Sequence, residues 1–131
     1  MTEKDKMLRQ LMYDANYDQQ LIAERQQAKE LCYDYNQLRP SDEAGQRAPM
    51  QRLLGSSKKA FCTLAPLWGD YGYNIEIGEN FFANHNTVIL DAAKVTFGDN
   101  VFIAPNCGFY TAGHPIDTGR RNQGLEYAYP I

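Results

Sequence analysis

Beyond Gly55 the apolar residues of this chain recur every six positions, at Ile77, Ala83 and Ile89 and again at Phe97, Ile103 and Phe109. Six is neither a helical period nor a simple strand alternation; it is the repeat of a parallel β-helix built from hexapeptides. A longer repeat is superimposed on it, because Ile75-Glu76-Ile77-Gly78-Glu79-Asn80 returns as Val95-Thr96-Phe97-Gly98-Asp99-Asn100, twenty residues on. Three hexapeptides fill eighteen residues, so each triangular coil carries two extra, most simply placed in the Asp91 to Lys94 corner. Gly and Asn belong at the remaining corners, since both tolerate positive φ. One coil buries little alone, and stacking supplies the core.

The first part of the chain follows a different rule. Met7, Leu8, Leu11 and Met12 sit at helical spacing, as do Leu21, Ile22, Ala28, Leu31 and Cys32. A turn is expected near Asn16 to Asp18. Arg39-Pro40 should close the second helix, and Ser41 or Asp42 can cap a short third one containing Met50, Leu53 and Leu54. The reading is a helical segment over 1–55 followed by a β-helix over 56–131. The sequence stops at Pro130-Ile131 as another strand would begin, so the β-helix is expected to be incomplete: either a fragment, or a stack whose apolar end another chain covers.

Composition narrows the function classes. With 44% hydrophobic and 22% charged residues the chain should fold as a globular protein. A net charge of -3 offers no basic field for a phosphate backbone, which argues against nucleic acid as a partner. No run is long and apolar enough for a bilayer, and the charged start from Met1 to Lys6 lacks a secretory core, so a cytoplasmic protein with no membrane partner is expected. Cys32, Cys62 and Cys107 are widely spaced without a CxxC pair, which suits buried or partly buried free thiols and no metal.

Among Asp70-Tyr71-Gly72-Tyr73-Asn74-Ile75, Asn80-Phe81-Phe82-Ala83-Asn84, Gly98-Asp99-Asn100-Val101-Phe102-Ile103-Ala104-Pro105 and Thr111-Ala112-Gly113-His114-Pro115-Ile116-Asp117, the chain resembles the maltose and galactoside O-acetyltransferases of the hexapeptide-repeat acyltransferase superfamily. Its helical part, from Met7 through Asn36, is similar to the segment typical of that family. The resemblance implies a left-handed β-helix, a homotrimer with each site between neighbouring prisms, acetyl-CoA as co-substrate and a sugar (maltose, glucose or a galactoside) as acceptor. Family members continue through further coils that supply much of the coenzyme A site, so the cofactor-binding residues are expected mostly in those coils. Asp70 stands where galactoside enzymes carry a small hydroxyl residue, and Asp91-Ala92 where they carry two acids, so acceptor preference is not expected to follow that branch.

A sugar hydroxyl is too weak an acid to ionise alone near neutral pH. An imidazole near its unperturbed pKa of about 6.5 is the usual general base, and such assistance contributes roughly a hundred- to ten-thousand-fold. His114, in a Gly/Pro-bounded loop, matches the family's catalytic position; His85 has no such context. By resemblance Asn84 contacts substrate or the thioester carbonyl, since an amide both donates and accepts, while Asn86 reads as a corner. Asp14 aligns with an acid that reaches the sugar from the helical segment, or is a solvated helix-end carboxylate, and Asp70 and Asp91 either accept sugar hydroxyls or cap turns. Glu126 matches an acid that helps shape the acceptor pocket. Tyr71, Tyr73 and Phe82 form a sugar platform or simply belong to the core. Direct transfer without an acetyl-enzyme is expected. Two rivals remain: an inactive truncated scaffold on the same fold, and a γ-type zinc carbonic anhydrase using His85 and His114 across an interface, which the Gly-His-Pro context does not resemble.

Overall fold

The computed structural model describes residues 1–57 and 61–131. Helices α1 (Glu3–Leu8), α2 (Gln19–Asn36) and α3 (Glu43–Leu53) come first, capped by the side chains of Thr2, Asp18 and Asp42. Helix α1 is shorter than the apolar spacing suggests: it stops at Leu8, Gln10 turns to φ 63°, and Leu11 is left 46% exposed. Helix α3 is longer, because Asp42 starts it two turns ahead of Met50 by accepting from the Gly45 amide.

Among the described residues nine short strands then wind into coils. Strands β1 (Ser56–Ser57), β2 (Phe61–Thr63) and β3 (Leu67–Gly69) are followed by β4 (Ile75–Ile77), β5 (Phe81–Ala83) and β6 (Thr87–Leu90), then β7 (Val95–Phe97), β8 (Phe102–Ile103) and β9 (Gly108–Tyr110). They stack as three parallel sheets, β1-β4-β7, β2-β5-β8 and β3-β6-β9. Partners are always twenty residues apart: Ile75 faces Val95, Phe61 faces Phe81, and Val88 faces Gly108. The residues at six-residue spacing point inward, so Ile75, Ile77, Phe81, Ala83, Ile89, Val95, Phe97 and Ile103 form one core. Phe97 stacks tilted on Phe81 at 5.1 Å and meets the edge of Phe109 at 5.0 Å.

Two kinds of corner join the sheets. At the tight ones Asn80, Asn86, Asn100 and Asn106 adopt φ of 54°, 65°, 61° and 63°. Their amides form ladders up the prism, Asn80 donating to Asn100 and Asn86 to Asn106, each at 2.9 Å. The wide corner at 91–94 holds the two extra residues, as does its counterpart at 70–74 one coil earlier. There Gly72 takes φ 88°, and a Cβ would lie 2.2 Å from the Leu53 carbonyl oxygen, so only glycine fits.

The helices cover the flank of the first coil. Leu31, Cys32, Tyr35, Met50 and Leu53 pack with Leu67. Asn36 imitates a strand edge, donating to the Leu67 carbonyl at 3.0 Å and accepting from the Leu67 amide at 2.8 Å. Cys32 is buried and Cys107 partly so, whereas Cys62 is exposed, because it points outward from β2. Among the described residues no helix is long and apolar enough to cross a membrane.

After β9 the chain leaves the prism as an arm. Strands β10 (Ala112–Gly113) and β11 (Tyr127–Ala128) pair antiparallel, with α4 (Thr118–Asn122) between them. The Tyr129 amide closes the arm on the Thr111 carbonyl at 3.1 Å, and Ile131 rejoins the prism through bonds to Lys94 and Thr96 beside β7.

Candidate active site

His114 follows β10 directly and stands at the inner turn of the arm, its side chain 48% exposed. Pro115 beside it is buried. Its Nδ1 lies 3.0 Å from the Leu125 carbonyl oxygen. A carbonyl only accepts, so in the neutral ring Nδ1 carries the hydrogen and Nε2 is left with its lone pair. That second nitrogen faces Glu126, whose Oε1 is 3.9 Å away.

The other oxygen of Glu126 is taken: the Tyr13 hydroxyl donates to Oε2 at 2.9 Å. Tyr13 is 1% exposed, and its main chain forms a two-way bridge with Glu126 at 2.9 and 3.0 Å. Burial, together with the adjacent Glu126 charge, pushes this phenol far above the ordinary tyrosine range, so it stays a donor. Tyr71, also buried, receives a 2.8 Å bond from Arg25, which donates in addition to the Ala15 carbonyl at 2.6 Å. Burial raises the Tyr71 phenol to about 12 even against that cation.

Asp70 belongs to the same cluster. Burial raises its carboxyl, Lys29 and Arg25 pull it down, and the like charge of Glu126 raises it further. Glu126 is thus in contact with both His114 and Tyr13, Arg25 with Tyr71, and the Asp70 charge is felt by both tyrosines. Such a set can take a hydroxyl proton at Nε2 and accept neighbouring hydroxyls at Glu126 and Asp70.

Three other expected residues have side-chain oxygens engaged by main-chain amides. Asp91 is 0% exposed, and its carboxylate is occupied by main-chain amides: Asp70 at 3.1 Å and Tyr71 at 2.8 Å on Oδ1, Gly72 at 2.7 Å and Asn74 at 3.2 Å on Oδ2. It cannot also accept sugar hydroxyls, so a substrate role is replaced by that of a corner staple. Burial still pushes this carboxyl up to about 6 against those amides. Asp14 follows Tyr13, but its Oδ1 closes a turn by accepting from the Asn16 and Tyr17 amides, each at 3.1 Å.

Asn84 sits at the β5–β6 corner, where its side-chain oxygen accepts from the His85 amide at 2.8 Å. Within one chain it stands at the opposite end of β6 from the arm: β6 separates it from Leu90, whose partner Tyr110 ends β9, where the arm with His114 begins. His85 shares that remote corner, its Nδ1 bonded to the Ala65 carbonyl. Among the described residues no three His, Cys, Asp or Glu side chains converge as a metal group would require. A groove of about 480 Å³ between α3 and β2 contains none of the expected site residues.

Tyr13, Arg25 and the Leu125 carbonyl were not among the residues expected from sequence. Tyr13 lies 113 residues from its partner, so spacing gives no signal of the pairing.

Residues 6–58 match a sequence family described as the maltose acetyltransferase hexapeptide capping motif. A Saccharomyces cerevisiae protein, YJL218W, provisionally named an acetyltransferase, is 57% identical over 120 residues, covering 92% of this chain and 61% of that protein. A maltose O-acetyltransferase from Clostridium difficile 630 superposes with a TM-score of 0.96 at 44% identity, over 99% of this chain and 69% of the other. A hexapeptide-repeat acetyltransferase from Vibrio cholerae, solved with acetyl-CoA, gives 0.86 at 37% identity, over 100% and 70%.

Proposed function

The chain belongs to the hexapeptide-repeat acetyltransferases that carry the maltose acetyltransferase capping motif, and from that premise we propose that it moves an acetyl group from acetyl-CoA to a sugar hydroxyl with His114 as general base. The observation that carries this reading is the 3.0 Å bond from Nδ1 to Leu125, which leaves Nε2 as a bare acceptor on an exposed ring. The solenoid is read as left-handed, in keeping with the family resemblance.

The residues present fit the reacting end of a thioester donor: an accessible lone pair on His114 and carboxylates for the acceptor's other hydroxyls. Acetyl-CoA when bound supplies an activated acyl group and a good leaving thiolate. Nε2 takes the proton of the attacking hydroxyl and returns it to the departing sulfur. Glu126 and Asp70 orient the sugar by accepting from flanking hydroxyls. Asn84 donates from its amide to the carbonyl oxygen as negative charge develops there.

Because β6 lies between the Asn84 corner and the end of that side from which the His114 arm leaves, Asn84 is read as coming from another copy. The outward faces favour such an assembly. Cys62, Phe82 and Phe102 form an apolar row on one sheet, and Trp68, Val88, Leu90 and Tyr110 one on the next, with Phe102 67% and Tyr110 62% exposed. The third sheet is polar, with Lys94 paired to Glu76 at 2.7 Å. The two apolar sheets meet at the Asn84 corner, so a homotrimer packed there brings Asn84 to a neighbour's arm. Three unpaired cysteines suit a reducing cytoplasm.

The test is thiol release from acetyl-CoA with maltose, glucose and a β-galactoside as acceptors, for the wild-type chain and His114→Ala. A loss of about a hundredfold or more supports the assignment. Equal rates would end it, and no transfer by either chain would favour an inactive scaffold.

A further inference from the structure

The arm that carries His114 is held by the N-terminal segment at more points than packing requires. Tyr13 bridges Glu126 through both main-chain groups and through its hydroxyl, and Asn16 donates to the Gly124 carbonyl at 2.8 Å. Gly124 takes φ 75°, and any Cβ there would lie 2.2 Å from the Asn16 amide nitrogen, so the two segments meet at closest approach. Between Gly124 and Glu126 lies Leu125, whose carbonyl fixes the His114 ring.

Glu126 is a flexible carboxylate only 20% exposed, and one of its oxygens stands 3.9 Å from Nε2 while the other is engaged. Without a fixed donor on Oε2 the side chain has several rotamers open to it, only some of which face the imidazole. We propose that Tyr13 is a positioning residue of the active site: its buried hydroxyl holds Glu126 so that Oε1 stands beside His114 Nε2. Nε2 and Oε1 are then two acceptors side by side, which match two hydroxyl donors on adjacent carbons of one acceptor better than the single donor of a simple alcohol. The helical segment thus serves the reaction as well as covering the first coil. This rests on the reading of His114 as the base.

The experiment follows the ring resonances of His114 by nitrogen-15 NMR at a pH where the ring is neutral, with His85 as an internal reference. The full chain is compared with Tyr13→Phe, Glu126→Gln and, as a control, Tyr17→Phe, since Tyr17 is 74% exposed. Tyr13→Phe is expected to move the His114 resonances in the same direction as Glu126→Gln and by at least half as much, with His85 and the control unmoved. If Glu126→Gln shifts His114 and Tyr13→Phe does not, the phenol is not what holds the carboxylate. If neither shifts it, Glu126 does not stand beside Nε2, and the proposal fails.

Should Tyr13→Phe not fold, exchange of the Tyr13 hydroxyl proton answers the same question: at least tenfold faster in Glu126→Ala supports the bond, and an unchanged rate overturns it. A wild-type chain without acetyl transfer would remove the proposed reaction while leaving these readouts able to decide the role of Tyr13.

Discussion

The Nδ1–H of His114 donates to the Leu125 carbonyl across 3.0 Å, joining the two strands of the arm through the imidazole itself. The ring's orientation and its tautomer are therefore set by backbone, and both are open to direct observation.

One consequence is spectroscopic. In the neutral ring the hydrogen should reside on Nδ1, so nitrogen-15 shifts at pH 8 are expected to show a protonated Nδ1 and a bare Nε2 for His114. A ring protonated at Nε2 would remove the lone pair that the proposed chemistry needs.

Asp91 supports a second prediction. Replacing it with Asn turns one acceptor oxygen into a donor that faces either the Asp70 and Tyr71 amides or those of Gly72 and Asn74. Leaving buried N–H groups unpaired costs about 1–3 kcal/mol each. Asp91→Asn should therefore lower thermal stability by about 3 kcal/mol, read as a Tm lower by about 10 °C. A chain that melts within a degree or two of wild type would show that the corner does not depend on the carboxylate.

The pH dependence of stability offers a third. Burial raises the folded-state pKa of Asp70 above its ordinary carboxylate value. The folded chain then keeps a proton that the unfolded chain has already released, so this site's contribution is most favourable in acid. It is lost as pH rises from the ordinary value through the raised one, and is constant above that. Asp70→Asn does not titrate. It is expected to be more stable than wild type at pH 7.5, with the advantage shrinking toward pH 4. Denaturant titrations across that range check it, and an advantage that grows in acid would reverse the sign. The same variant should bind a sugar acceptor less well.

Much of the fold was legible because a hexapeptide solenoid repeats its inward residues at fixed spacing. Ile77, Ala83 and Ile89 announce three successive sides, and the twenty-residue return of Ile75 as Val95 locates the two extra residues at 91–94. What could not be read depends on contacts between coils or across the chain. Asp91 is an ordinary corner acid in sequence, and only stacking brings four amides of the preceding corner onto it. Tyr13 lies in an apolar run that reads as a continuing helix, yet the chain turns at Gln10 and delivers its phenol to Glu126. Helical periodicity carries no information about that long-range bond, which overrides it locally.

The proposed sharing of one site between two copies is tested by one mixture. His114→Ala and Asn84→Ala chains should each be nearly inactive, the second by roughly a hundred- to a thousandfold if it removes a donor to the developing oxyanion. Unfolded together in equal amounts and reassembled, they form sites in which an intact His114 from one copy meets an intact Asn84 from the next. In a closed ring with random assembly about a quarter of the sites are of this kind. Acetyl transfer from acetyl-CoA to a sugar by the mixture is thus predicted to recover to about a quarter of the wild-type rate. A mixture no more active than the average of the two variants, beside an active wild type, would contradict a base and an amide contributed by different copies.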